Sequence, residues 1–187
     1  MTEGPEPERG LASRLARDVD DAFEDLVAAH QDRLYAFVLG MAGDRGQAEE
    51  VVQDAFLKAY RALRQYPSER VAELRLHGWL RRIALNTWRN ALRRKRVPQT
   101  LDWTPPDEAE PGDGPEALAL RRVDQERLLR ALATIPAPMR AAILLRHVDD
   151  LATEEVAAIL RLPAGTVKSH VYRGLNRLRE ALSEEVS

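Results

Sequence analysis

The sequence predicts an all-α protein made of two small helical units joined by an acidic linker. Apolar residues recur at the 3.6-residue helical period on both sides of residues 98–117, and no segment shows the alternation of a strand. Residues 98–117 contain five prolines, two glycines and six carboxylates but no Lys or Arg, a composition typical of an extended linker. We therefore predict a disordered lead-in, a first unit, the linker and a second unit, at residues 1–19, 20–97, 98–117 and 118–187.

The composition excludes several kinds of site. The chain has no cysteine, which rules out disulfides, thiolate metal ligands and cysteine nucleophiles. No apolar run approaches the roughly 18 residues of a membrane span, and the acidic, Pro- and Gly-rich start MTEGPEPERG does not resemble a signal peptide. The net charge of −2 conceals 28 basic and 30 acidic residues that are segregated along the chain. We expect a soluble cytoplasmic protein.

Helix signals divide the first unit. A helical pattern runs from Asp20 to Met41, and Gly43 is expected to end it. Asp44 then has the position of an N-cap for a second helix, which ends before Pro67. A polar segment follows, and after it comes the basic helix on which the functional interpretation depends.

That basic helix covers residues 76–97, with the sequence LHGWLRRIALNTWRNALRRKRV, and it has seven Lys or Arg but no carboxylate. Its apolar stripe is Leu80, Ile83, Ala84, Thr87, Trp88 and Ala91. Its opposite stripe is Arg82, Asn86, Arg89, Asn90 and Arg93. Guanidinium groups bind phosphate oxygens bidentately, and Asn can donate to and accept from a base edge. The pattern favours a nucleic-acid surface, although composition alone also fits a solvated helix with snorkelling arginines.

The second unit contains a helical region from about Glu116 that Pro136 and Pro138 break, a helix from Met139 to His147, and a helix-turn-helix pattern in the last part of the chain. A short helix, a three-residue turn and a longer helix fit the sequence LATEEVAAILRLPAGTVKSHVYRGLNRLREAL, and the longer helix has a core stripe of Val167, Val171, Leu175, Leu178 and Leu182. Its opposite face is polar and basic: Thr166, Ser169, Arg173 and Asn176, flanked by Lys168, Tyr172 and Arg177. Such side chains are what a major-groove helix needs. The alternative is an ordinary helical hairpin.

The order of these segments resembles a bacterial sigma factor of the extracytoplasmic-function group (group 4 of the sigma-70 family). The resemblance runs from about Phe23 to Leu182 and rests on VVQDAF, WLRRIALNTWRNALRRKR and GTVKSH, with the acidic linker between the blocks. It implies a promoter-specificity subunit. Region 2 would bind core RNA polymerase and open the −10 element, and region 4 would read the −35 element.

Residue roles follow from the same resemblance. The polymerase-docking set, facing the β′ clamp helices, would be Glu50, Gln53, Asp54 and Lys58. The −10 set would be Trp79, Arg82, Asn86, Arg89, Asn90 and Arg93, with the loop at residues 65–77 receiving a flipped base. The −35 set would be Thr166, Lys168, Ser169, His170, Tyr172, Arg173 and Arg177.

The resemblance also implies partners and absences. The partners would be core polymerase, through its β′ clamp and β flap, promoter DNA and an anti-sigma factor. It implies no catalytic residue, cofactor, metal site or membrane insertion, and a bacterial cytoplasmic location with nucleoid association in the holoenzyme.

Four positions depart from the family pattern. Arg161 stands where Gly is common in the turn, so either a left-handed backbone there is strained or the turn differs slightly. Ala152 replaces the usual Ser or Thr cap, which leaves Thr153 or Asp150 to satisfy the helix amides. In addition, His170 replaces a frequent Arg and Asn90 a common Asp, so the promoter sequence itself is not predicted.

Three other functions are open on the sequence. The TVKSHV segment also resembles the recognition helix of LuxR-type regulators, but that alternative leaves residues 76–97 unexplained. A sigma-like decoy would bind polymerase without initiating transcription. A metal-dependent nuclease would depend on linker carboxylates that lack a rigid frame, namely Asp102, Asp107, Glu108 and Glu110. The linker itself is either a passive tether or a mimic of nucleic acid.

Overall fold

A computed structural model describes the backbone of residues 6–95 and 115–184, and the side chains of residues 8–94 and 124–183. Within these ranges the regular structure is all helical, which confirms the predicted fold class. The first unit contains α1 (Glu6–Arg17), α2 (Val19–Ala42), α3 (Arg45–Gln65), α4 (Ser68–Ala72) and α5 (Leu76–Lys95). The second contains α6 (Pro115–Ala133), α7 (Ala137–His147), α8 (Thr153–Leu160) and α9 (Ala164–Glu184).

The predicted end of α2 and the predicted start of α3 are confirmed by the geometry of their caps. Gly43 ends α2 with a left-handed φ of 73°, and its amide donates to the Leu39 carbonyl at 2.8 Å. One residue later, the Asp44 carboxylate accepts from the Gln47 amide at 2.7 Å and begins α3. Glycine adopts the left-handed conformation without the steric strain of a Cβ, so the two helices can reverse direction within a two-residue connection.

The prediction of a disordered lead-in was wrong for residues 6–17, which form α1. Ala12 is 1% exposed and Leu15 is fully buried, where α1 packs against α2 and α4. The Arg14 guanidinium pairs with the Asp25 carboxylate at 2.5 Å. An isolated helix of this length is marginal in water, so its stability comes from packing that a short apolar stripe in the sequence does not reveal.

The segment expected to be an irregular loop, residues 65–77, contains the five-residue helix α4. Val71 anchors that helix with 1% of its surface exposed, while Pro67 precedes its first turn. The second unit begins with α6 at Pro115, close to the predicted position. Most of the predicted linker, including the four candidate nuclease carboxylates, lies outside the described residues.

The two units pack against each other and share one buried apolar cluster. The helices that meet are α2 with α6 and α7, and α5 with α8. A Cβ on Gly40 of α2 would lie 2.8 Å from Leu144 Cδ2 of α7, which only glycine permits without a shift of the leucine. Arg140 of α7 strengthens this junction, because it donates to the Met41 carbonyl at 2.7 Å and so satisfies a C-terminal carbonyl of α2.

Candidate nucleic-acid interface

Helix α5 has the two-faced construction that its sequence predicted. All of the apolar stripe is buried except the half-buried Ile83, and the helix packs on α2 and α3. On the opposite face Asn86, Asn90 and Arg93 are exposed, while Arg82 and Arg89 are half-buried. The described part of the helix has no acidic side chain, so this face presents a net positive surface.

An aromatic and cationic cluster lies at the start of this face. The Trp79 ring meets the Tyr66 ring edge-on with 6.3 Å between centroids, and the Arg70 guanidinium carbon lies 3.8 Å from the Tyr66 centroid. Tyr66 also lines a cleft of about 390 Å³, together with side chains that include Leu15, Arg17, Arg64, Ser68 and Val71. The cleft therefore has aromatic, cationic and hydroxyl groups close together, with the carboxylates of Asp18 and Asp20 beside them, and α1 supplies one of its walls.

The four predicted docking residues share the outer face of α3. Glu50, Gln53 and Lys58 are exposed and Asp54 is half-buried. The Asp54 carboxylate lies 4.0 Å from Lys58 Nζ and 3.8 Å from an Arg94 guanidinium nitrogen. Leu57 lies among them with 54% of its surface exposed. Leu57 was not among the predicted docking residues, although it is the apolar residue on an otherwise polar stripe.

Lys58 differs from its neighbours because it also connects two helices. Its Nζ donates to the Thr87 hydroxyl of α5 at 3.1 Å, and Thr87 is almost fully buried. The predicted docking face and the basic face therefore belong to one rigid framework of α3 and α5.

The basic face of α9 forms a second, separate surface. Val167 is fully buried, whereas Tyr172 is 70% exposed. Lys168, Arg173 and Arg177 are exposed, and Thr166, Ser169 and His170 are half-buried. The Arg173 Nε donates to the Ser169 hydroxyl at 3.1 Å, which holds the guanidinium along the helix surface.

The turn before α9 has one of the two conformations that the sequence left open at Arg161. Arg161 adopts left-handed angles, with φ 57° and ψ 48°. The expected side-chain cap of α8 was wrong, because neither Thr153 nor Asp150 caps the helix. Instead, the Glu155 carboxylate accepts from the Ala152 amide at 3.0 Å, so a carboxylate in the first turn partly replaces the missing cap.

A buried ion pair joins the two units and was not predicted from the sequence. Arg81 Nε donates to Asp149 Oδ2 at 2.8 Å and its NH2 to Oδ1 at 2.5 Å. Both side chains are fully buried, and Arg81 NH1 has no hydrogen-bond partner among the described atoms. The overlooked signal was that Arg81 lies at helical spacing from Ala84, Leu85 and Trp88, on the apolar stripe, where an arginine needs a carboxylate.

Two histidines border this pair. Burial, with the positive charges of Arg81 and Arg33, lowers the pKa of His77 to about 4. Burial and the same arginines, with His77, also lower the pKa of His30 to about 4. Both rings are therefore neutral at pH 7, and the 3.5 Å approach of His77 Nε2 to Asp149 is not an ion pair there.

The structure thus joins the α3 and α5 residues on one unit and places the α9 residues on the other. It does not combine the −10 and −35 sets in one continuous surface. The units instead meet where α8 covers the start of α5, and Arg82 donates there to the Ala158 carbonyl at 3.3 Å.

Comparison with known families covers both units. The family model for sigma-70 region 2 matches residues 26–97, and the model for sigma-70 region 4 matches residues 125–178. The chain belongs to the sigma-70 family, as a sigma factor of the extracytoplasmic-function type. The LuxR alternative is not favoured, because region 2 accounts for the basic helix that this alternative left unexplained.

Curated relatives match over nearly the whole length. The RNA polymerase sigma-H factor of Pseudomonas aeruginosa is 32% identical, over 95% of this chain and 94% of the relative. The ECF RNA polymerase sigma-E factor of Escherichia coli is 34% identical, over 94% and 92%. The ECF RNA polymerase sigma factor SigW of Bacillus subtilis is 30% identical, over 88% and 90%.

Solved structures agree on the fold. CnrH, in complex with the cytosolic domain of CnrY, has a TM-score of 0.70 at 24% identity, over 95% of this chain and 97% of that one. RpoE of Bartonella quintana, in complex with the anti-sigma factor NepR, has a TM-score of 0.67 at 25% identity, over 86% and 96%.

Two features are absent from the residues that the structure describes. No helix there combines the length and the apolar character of a membrane span. No group of His, Asp and Glu side chains in the same ranges is arranged to hold a metal ion.

Proposed function

We propose that this sigma factor docks on core RNA polymerase through the outer face of α3, opens and reads the −10 element with α5, and reads the −35 element with α9. The observation that carries the proposal is the division of α5 into a buried apolar stripe and an outer face of Arg and Asn. Such a helix can bind phosphates and bases while its position is fixed by packing.

The outer face of α5 combines the two chemistries that promoter opening requires. Arg82, Arg89 and Arg93 supply charge for the backbone phosphates, and Asn86 lies between them with an exposed amide. Extruding a base requires a few kcal/mol of unstacking, which pocket contacts and aromatic stacking must offset. Trp79 and the cleft beside Tyr66 are where we place the extruded base, as the family resemblance implied for residues 65–77.

Asn86→Ala tests the −10 assignment. The assay uses a promoter selected from a randomised library by runoff transcription with core polymerase and the parent protein. We expect Asn86→Ala to bind core normally but to open this promoter poorly and to discriminate less among the four bases at one −10 position. An amide that reads a base contributes about 1–3 kcal/mol. Gln31→Ala, which removes an exposed amide from α2, is the matched control.

Permanganate footprinting of the melted region measures the outcome. An Asn86→Ala protein that melts DNA like the parent and ranks the four bases in the same order would remove Asn86 from the reading set. Failure of the parent protein to select any promoter would remove the function itself and would favour a decoy that binds polymerase without initiating.

The docking assignment is tested by Asp54→Arg. Asp54 already lies near the cations of Lys58 and Arg94, so a further cation there reverses the local charge presented to a basic partner. We expect loss of core binding with an unchanged fold. Glu24→Arg reverses an exposed carboxylate on α2 and should retain binding in the same pull-down. Equal retention by both variants would contradict the assignment of the α3 face.

The remaining parts of the proposal concern role and location. We propose that the described residues act by binding, and that the chain has no catalytic activity of its own and no cofactor. We also propose a cytoplasmic location, with nucleoid association in the holoenzyme. A solved relative whose partner is the anti-sigma factor NepR supports an anti-sigma partner here as well. Co-purification with core polymerase from cells tests the location, and capture of a membrane-bound or soluble inhibitor tests the partner.

A further inference from the structure

A second cleft, of about 560 Å³, lies where the two units meet. Its walls come from α1, α2, the start of α5 and the connection between α7 and α8. None of its lining residues is one of the predicted docking, −10 or −35 residues, although Arg75 and His77 end the loop that was expected to receive a base. Clefts of roughly 300–1,000 Å³ are typical of small-molecule sites, so the promoter-binding roles leave a cleft of that size unexplained.

Two side chains of α2 supply unpaired hydrogen-bonding groups to this cleft. Arg33 is exposed and His30 is half-buried, and a spacing of three residues places them on the same face of the helix. Neither side chain makes a hydrogen bond or an ion pair with a described residue. A guanidinium has five N–H donors and a neutral imidazole has one. The two side chains can therefore bind an oxyanion together.

The carboxylates that line the cleft already have partners. The Glu8 carboxylate accepts from the backbone amide of His77 at 2.5 Å. The other three carboxylates lie within 4.0 Å of an arginine, and these pairs are Glu155 with Arg75, Asp149 with Arg81, and Asp150 with Arg146. The negative charges of the cleft are therefore offset inside the protein, whereas the positive charge of Arg33 is not.

The surroundings of His30 are also more favourable to an anion than to a cation. Burial lowers the pKa of His30 to about 4, and the positive charges of Arg81, His77 and Arg33 lower it further against the opposing effect of Asp149. A field that disfavours a protonated imidazole stabilises a negative charge at the same place. An anion bound beside Arg33 would therefore be stabilised by more than its direct contacts.

The same cleft has an apolar part, which indicates an organic ligand rather than a bare ion. Leu11 of α1, Ala29 of α2 and Leu151 before α8 line it together with the two polar side chains. We propose that the cleft is a binding site for a small organic oxyanion, whose phosphate or carboxylate group contacts Arg33 and His30 and whose apolar part packs against the leucines. Both units line the site, so its occupant binds and stabilises their packed arrangement.

Isothermal titration calorimetry with three probes tests the site. The probes are phenyl phosphate, benzoate and inorganic phosphate, each at constant ionic strength. We expect phenyl phosphate or benzoate to bind more tightly than inorganic phosphate, because only these probes can contact Leu11 and Leu151, and the tighter of the two identifies the charged group. Arg33→Ala should weaken that binding at least about tenfold, through loss of hydrogen bonds to a charged group. Arg61→Ala, which removes an exposed arginine from α3, is the matched control and should bind like the parent.

Nuclear magnetic resonance of protein with ¹⁵N-labelled histidine locates the bound probe. The chain has four histidines, and we expect the His30 ring signals to shift during the titration while those of the exposed His147 do not. A shift of His170 without one of His30 would place the anion on the basic face of α9 and would overturn the proposal.

Three calorimetric results would also overturn the proposal. The first is the absence of saturable binding of either organic probe at concentrations up to about 10 mM. The second is an equal loss of binding in Arg33→Ala and Arg61→Ala, which would indicate attraction to the overall charge. The third is binding of inorganic phosphate as tight as that of both organic probes, which would exclude an organic ligand. All measurements use the full chain without polymerase or DNA, so failure of the proposed promoter function would not change them.

Discussion

Replacing the buried ion pair tests both its strength and the packing of the two units. The perturbations are Arg81→Met, Asp149→Leu and the double variant. Each single change leaves one full charge in a site where both side chains are completely buried, and breaking such a pair destabilises by about 3–5 kcal/mol. The double change removes both charges, together with the unpartnered Arg81 NH1, whose desolvation alone costs about 1–3 kcal/mol. We therefore expect the double variant to be as stable as the parent, or more so.

Urea unfolding followed by circular dichroism gives the four free energies of this cycle, and small-angle scattering reports whether the units remain together. A single variant can avoid part of the penalty by separating its units, which would appear as an increased radius. The coupling energy between the two positions should be at least about 2 kcal/mol. Single variants whose free energy of unfolding falls by less than about 1 kcal/mol, and whose radius is unchanged, would contradict the conclusion that the pair is buried.

Three further predictions concern other sites. Arg161→Gly should raise the free energy of unfolding, measured by urea unfolding, by about 1 kcal/mol, because it removes the steric strain of a Cβ in the left-handed conformation before α9. Arg161→Ala keeps the Cβ and should give no such gain. Arg173→Ala should weaken binding to the selected −35 duplex by about 1–3 kcal/mol if its side chain reads a base, and Arg179→Ala on the same helix should not; equal losses on specific and scrambled duplexes would place Arg173 on phosphate alone. Stability should fall as pH drops from 6.5 toward about 4, because the unfolded chain binds protons there that the buried, neutral His30 and His77 do not. Replacing both histidines with Gln should reduce the change in the free energy of unfolding with pH, measured by urea unfolding. A double variant with the same pH dependence as the parent would show that other groups cause it. The charged residues that face these two rings include Glu8, Arg33, Arg81 and Asp149.

The elements that the sequence predicted well are those with strong local signals. Gly43 and Asp44 define a helix end and a helix start through their own backbone and side-chain chemistry, so they could be read without the fold. The same holds for the stripe of α5, where a 3.6-residue period and a one-sided charge determine which face packs. The left-handed Arg161 was one of two conformations that the sequence left open, because Gly is common at this turn position whereas Arg161 has a Cβ.

The features that the sequence did not reveal depend on contacts between distant segments. The helix α1 has little apolar surface of its own and is stabilised by packing on α2 and α4. Likewise, Arg81 could be suspected from its place on the stripe, but its partner Asp149 lies 68 positions away. The α3 residues came from the family resemblance alone, whereas the polar faces of α5 and α9 came first from their helical period and charge. The contact that covers Arg82 could be found only in three dimensions.

The covalent connection between Lys95 and Pro115 makes separation of the two units an intramolecular dissociation. Short tethers hold two partners at effective concentrations on the order of millimolar, so α8 competes for the start of α5 at every moment, independently of how much protein the cell contains. Any molecule that binds the start of α5 therefore competes with a covalently attached neighbour, whose effective concentration depends on the length of the connecting chain. Lengthening the chain between the units should therefore weaken the contact of α5 with α8 without changing any residue of either surface.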